Sequence, residues 1–102
     1  LQFTWKALGP AARGITLGVG TDGGNYGLHA GEFSPPGGWP VTELKLGEKP
    51  SENWETRRVD LWNVFKKPVK LNLMWLGSKG GDVAFDQILL GRTEKDLPAV
   101  GK

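Results

Sequence analysis

Alternation with a period of two runs through nearly the whole chain and is broken only by turn residues. Leu1, Phe3, Trp5 and Ala7 share one face of the first run, with Gln2, Thr4 and Lys6 on the other. Ile15, Leu17 and Val19 alternate with Thr16 and Gly18, and Tyr26, Leu28 and Ala30 alternate with Asn25, Gly27 and His29. Val41 to Leu46 is a weaker run, followed by Trp54 to Leu61, by Val69, Leu71, Leu73 and Trp75, and by Val83 to Leu90. Successive side chains of a strand point to opposite faces, so each run can bury one face against a partner layer. Between the runs stand Gly9-Pro10, Thr21-Asp22-Gly23-Gly24, a loop from Glu32 to Pro40 and a glycine-rich stretch from Gly77 to Asp82. Thr21 to Gly24 and Gly77 to Asp82 both read as hairpin turns. No helix or central strand tolerates Pro35-Pro36-Gly37-Gly38-Trp39-Pro40. Only residues 61–67 have a helical look: Asp60 can cap the segment, Leu61 and Phe65 lie four apart, and Pro68 stops it.

Seven short strands and at most one short helical turn predict an all-β fold, an antiparallel β-sandwich of the jelly-roll kind. Residues 1–91 form the domain, and residues 92–102 read as a linker or tail. Sixteen Gly and seven Pro fall between apolar segments rather than in one tract, which points to tight turns. Five Trp, four Phe and one Tyr supply a core although only 38% of the residues are hydrophobic.

Several function classes are set aside by composition. A net charge of +2 is too weak to draw a polyanion, and no apolar run approaches the roughly 20 residues of a membrane span, so neither nucleic acid nor membrane is expected as a partner. The absence of cysteine rules out disulfides, thiolate zinc sites and thiol chemistry. The chain opens at Leu1 inside an alternating run, without Met or signal peptide, as if processed or excised from something longer.

Motifs for catalysis are equally sparse. Gly18-Val19-Gly20-Thr21-Asp22-Gly23 spells the dinucleotide fingerprint, but a strand rather than a helix follows, so no helix N-terminus is there to hold a phosphate. His29 is the single histidine and has no serine or acid partner at a telling spacing; a structural role suits it best, contact with a ligand next. The carboxylates are scattered, and nothing singles out a pair for glycoside hydrolysis. Lys66, Lys67 and Lys70 beside Trp62 and Phe65 read as a solvated turn rather than a nucleic-acid patch. The expected protein is not an enzyme.

The tryptophans carry what functional signal there is. Trp5 and Trp75 fall in phase with Phe3 and Leu73 and are expected in the core, with Trp54 in the core or at its rim. Trp39 stands apart, in a Pro/Gly loop among polar neighbours, where a ring either plugs the sandwich or meets a partner. A sugar's C–H face stacks on an aromatic ring while adjacent polar groups take its hydroxyls. Tyr26, His29, Trp39 and Asn25 are therefore the candidate saccharide-binding residues. Tyr26 lies on the opposite strand face from Asn25 and His29, so bringing all four together needs a bulge, which Gly24 and Gly27 would allow.

The stretch from Trp54 to Leu90 resembles the closing half of galactose-binding-like jelly rolls. The likeness lies in Trp54, Val59-Asp60-Leu61, Val69-Lys70-Leu71-Asn72-Leu73 and Gly80-Gly81-Asp82-Val83-Ala84-Phe85-Asp86-Gln87-Ile88-Leu89-Leu90. More narrowly, Phe3-Thr4-Trp5-Lys6, His29-Ala30-Gly31 and the segment from Gly91 to Leu97 resemble an uncharacterised domain of large secreted bacterial proteins, some of which carry c-type cytochrome modules. The resemblance implies a non-catalytic carbohydrate-binding accessory domain, extracellular or periplasmic. A structural or protein-interaction domain of a larger extracellular protein is the alternative. It also implies a structural calcium ion with Asp86 among its ligands, and one or two further strands ahead of the segment matching Leu1–Leu8.

Overall fold

The structure, a computed structural model, describes residues 1–91. Seven strands follow in chain order: β1 (Gln2–Ala7), β2 (Gly14–Thr21), β3 (Gly24–Gly31), β4 (Thr42–Gly47), β5 (Glu55–Arg58), β6 (Leu71–Lys79) and β7 (Val83–Leu89). One helix, α1 (Leu61–Phe65), sits between β5 and β6, and a single 3-10 turn at Pro36–Gly38 interrupts the loop before β4. The strands form a three-stranded sheet in the order β5-β1-β7 and a four-stranded sheet in the order β4-β3-β2-β6. The all-β expectation and the seven runs stand. The tail expected at residues 92–102 lies outside the described residues.

Alternation builds the core. Leu1, Phe3 and Trp5 of the small sheet meet Ile15, Leu17, Val19, Leu28 and Ala30 of the large one, all buried. Leu44, Leu46, Val59, Leu61, Phe65, Leu71, Val83 and Phe85 close the periphery of this cluster. Trp5 is the central side chain: Phe3 meets its ring edge-on at 4.9 Å and Phe85 at 6.1 Å. Its indole N–H donates to Glu55 Oε1 at 3.1 Å, so the one polar atom of the ring is not left bare. On the reverse face of β1, Gln2 is buried beneath Arg58, whose guanidinium donates to Gln2 Oε1 from two nitrogens at 3.0 and 2.6 Å.

Three expectations are corrected. The sandwich is not wholly antiparallel, because β4 runs parallel to β3, with Tyr26 opposite Thr42 and Leu28 opposite Leu44. A parallel neighbour requires the chain to return along the sheet before pairing. Residues 32–41 make that return, which accounts for a loop built of proline and glycine. Second, the stretch from Gly77 to Asp82 is not a hairpin: β6 continues to Lys79, and its successor β7 belongs to the other sheet. Gly80, at φ +84°, and Gly81 turn this corner so close to Ala11 and Ala12 that a Cβ on either would lie within 3 Å of backbone atoms. Third, Leu73 and Trp75 do not face the core. Met74 lies opposite Val19 and Leu76 opposite Leu17, so Leu73 and Trp75 are on the solvent side of the sheet.

Thr21 to Gly24 does close a hairpin, with Thr21 opposite Gly24. Thr21 Oγ1 accepts from the Gly23 amide at 3.0 Å and donates to the Gly24 carbonyl at 2.7 Å. The short helix is also as read: Asp60 Oδ1 accepts from the Trp62 amide at 3.0 Å, and Lys66 ends the helix in the left-handed conformation at φ 58°.

Candidate functional site

The solvent face of the four-stranded sheet is short of side chains. Thr16, Gly18 and Gly20 occupy it on β2, and Gly27 lies opposite Gly18 on β3. Bulk must come from elsewhere, and it comes as aromatic rings. Trp75 of β6 lies flat over Gly18, where an added Cβ would fall 1.9 Å from its Cε2. Phe33, from the return loop, covers Gly27 in the same way, at 2.8 Å. Trp39, from the far end of that loop, meets Trp75 edge-on with centroids 6.1 Å apart and keeps 43% of its surface exposed. Beyond Trp75 the face continues as Leu73, exposed over Gly20, with Asn25 Oδ1 and Asn72 Oδ1 converging on the same glycine at 3.1 and 3.3 Å from its Cβ position.

A pair of perpendicular indoles, the exposed Leu73 and two carboxamides thus lie along one sheet face. The face presents ring surface beside hydrogen-bonding amides.

The four residues singled out in the sequence divide. Trp39 and Asn25 are on this face, Trp39 against Trp75 and Asn25 opposite Gly20. Tyr26 is not: the β2–β3 ladder runs without a bulge from Gly14–Gly31 to Thr21–Gly24, so Tyr26 points to the core side. There it packs on Phe65 of α1 with centroids 4.9 Å apart. His29 is on the solvent side but is buried, with Phe33 stacked on it at 5.0 Å and 20°. Its Nδ1 bonds the Gly31 carbonyl at 3.0 Å, and its Nε2 lies 3.1 Å from Glu43 Oε1 without the alignment of a hydrogen bond. It supports the loop from beneath.

Trp75, Leu73 and Asn72 are the residues the sequence reading missed, the first two because their period-two phase matched the core rule. The telling signal was on β2, where every second residue is Thr or Gly. A strand with a central place and an empty outer face must be covered by large neighbours.

Trp54 is a rim residue, half exposed, with Lys6 Nζ 4.8 Å from its ring centroid. Trp62 of α1 is the most exposed of the tryptophans, at 61%. Asp86 is exposed on β7 opposite Thr4. No group of three or more His, Asp or Glu side chains suited to a metal occurs among the described residues. Among those residues no helix is long and apolar enough to cross a membrane. Comparison with known protein families, with curated proteins and with solved structures found no match to this chain.

Proposed function

We propose that the domain is a non-catalytic carbohydrate-binding accessory module, of galactose-binding-like jelly-roll kinship, working in an extracellular or periplasmic setting. The observation that carries this reading is the half-exposed Trp39 standing edge-on to Trp75, on the sheet face that also holds Asn25 and Asn72 over Gly20. An exposed indole offers a pyranose a stacking surface, and carboxamides on the same face can both donate to and accept from its hydroxyls. Trp39 is exposed at the surface rather than at the bottom of a cavity, which suits one side of a chain of sugars better than a buried monosaccharide.

The test is a glycan-array screen of the domain followed by Trp39→Ala and Trp75→Ala on any hit. Each substitution is expected to weaken binding about ten-fold, or 1–2 kcal/mol. Loss of Trp39 should leave stability nearly unchanged, since the ring is half in water already. A blank array together with a Trp39→Ala loss of about 3–5 kcal/mol in stability, the cost of deleting a packed aromatic, would sink the proposal.

A second reading, a structural or protein-interaction domain, is favoured by one feature. β6 is an edge strand whose core-side residues Met74 and Leu76 remain 39% and 53% exposed. Unpaired strand edges with apolar side chains are where another chain adds a strand.

A further inference from the structure

His29 occupies an unusual position relative to the loop that carries Trp39. Phe33, near the start of that loop, stacks on one face of the imidazole at 5.0 Å. Glu43, just past its end on β4, brings a carboxylate oxygen to 3.1 Å from Nε2. One buried ring therefore meets Phe33 near the start of the loop and Glu43 in the strand just beyond it.

Its protonation states are not equivalent. The Gly31 carbonyl can only accept, so the 3.0 Å contact places a proton on Nδ1. In the neutral ring Nε2 is then a bare acceptor facing the carboxylate, itself an acceptor, and this nitrogen is buried without an aligned partner. Glu43, with a side chain 60% exposed, is free to turn to water. Uptake of one solvent proton converts Nε2 to a donor. A charge-assisted Nε2–H bond to Glu43 can then form once the carboxylate turns into line, and the imidazolium gains attraction to the face of Phe33. Both effects pull on the loop.

We propose that His29 is a proton-dependent latch for the Trp39 loop, with Glu43 and Phe33 as its two catches. The surrounding charges are few. On β4, Lys45 lies opposite His29 in the ladder and is engaged by Glu48 at 3.0 Å. In the loop, Glu32 is held by Arg13 at 2.7 Å. On β2 the opposite residue is Thr16, and that strand carries no ionisable side chain. β3 offers only Tyr26, on the other face.

The inference concerns the ligand-free protein and does not depend on what the face binds. The experiment is a pH titration by NMR of the full chain between about pH 5 and 8, the span in which histidines ordinarily titrate. The imidazole resonances belong to His29 without ambiguity, because it is the single histidine. The Trp39 indole N–H is assigned by its disappearance in Trp39→Phe. The expected result is a neutral ring in the Nδ1–H form and a Trp39 resonance that moves with the His29 transition. In Glu43→Gln, a change at an exposed position, most of the pH-dependent Trp39 movement is lost. In His29→Gln, where that variant folds, Trp39 is flat across the range. A Trp39 signal that ignores the His29 transition, or follows it as fully in Glu43→Gln, overturns the latch; so does a neutral ring in the Nε2–H form.

Discussion

Gly18 and Gly77 stand on the same side of neighbouring strands, yet substitution should treat them very differently. A Cβ on Gly18 would overlap the Trp75 ring, whereas one on Gly77 would meet Thr16 Cβ at 3.8 Å, an ordinary contact. Gly18→Ala is therefore expected to cost about 1–3 kcal/mol in urea unfolding and to push Trp75 into water, shifting its emission to the red. Gly77→Ala should stay within about 0.5 kcal/mol of the parent. Equal effects at the two sites would mean that Trp75 does not lie on the sheet as described. At Trp5 the decisive atom is the indole nitrogen. Glu55→Ala leaves that donor without its acceptor and should lower stability by about 1–3 kcal/mol, read from the same unfolding curves. Asp86, by contrast, belongs to no group of three or more His, Asp or Glu side chains among the described residues, so excess chelator is expected to leave the Tm unchanged. A clear drop would place a cation there after all.

Elements inherit their limits from single residues. Helix α1 is five residues long, too short to persist on its own, and depends on its cap and on Leu61 and Phe65 packing against the core. Asp60→Ala removes the acceptor for the Trp62 amide and is expected to cost about 0.5–2 kcal/mol, measured by denaturant midpoint. Asp60, the Leu61–Phe65 spacing and Pro68 made this helix legible from sequence, since capping and i,i+4 contacts are local. β6 shows the opposite. Its alternation marked it as a strand, but Leu71, Leu73 and Trp75 in one phase and Met74 and Leu76 in the other are equally apolar. Pattern alone could not say which phase faces inward. The ladder to β2 decides it, and a shift at Gly20–Thr21 changes the phase partway along. Because Met74 and Leu76 then face the core side of an uncovered edge, Leu76→Lys should reduce concentration-dependent light scattering while changing stability little.

At the scale of the whole molecule, the two sheets share one core centred on Trp5, Phe3, Ile15 and Leu17. A far-UV circular dichroism spectrum should be that of a β protein. A helical signal above about a fifth of the residues would contradict the fold, since one helix of five residues is present among those described. The aromatic layer on the outer face gives the molecule a second, smaller apolar assembly, separated from the core by the sheet itself. Its two sources are distant in sequence: the loop from 32 to 41 and strand β6.

Sequence by itself determined what depends on neighbours along the chain: the strands as strands, the β2–β3 hairpin, the capped helix and the core face of β1, β2 and β3. In those strands large apolar residues occupy one phase only, so hydrophobic burial has a single solution. Tertiary structure decided everything that depends on which strand lies beside which. The parallel run of β4, the crossing from β6 to β7 and the outward turn of Trp75 leave no trace in alternation, which is blind to strand direction and to the identity of the neighbour. The candidate face follows the same division. Trp39 was legible because proline and glycine excluded it from any central strand, while Trp75 was hidden because an indole over a glycine reads, in one dimension, like an indole in a core.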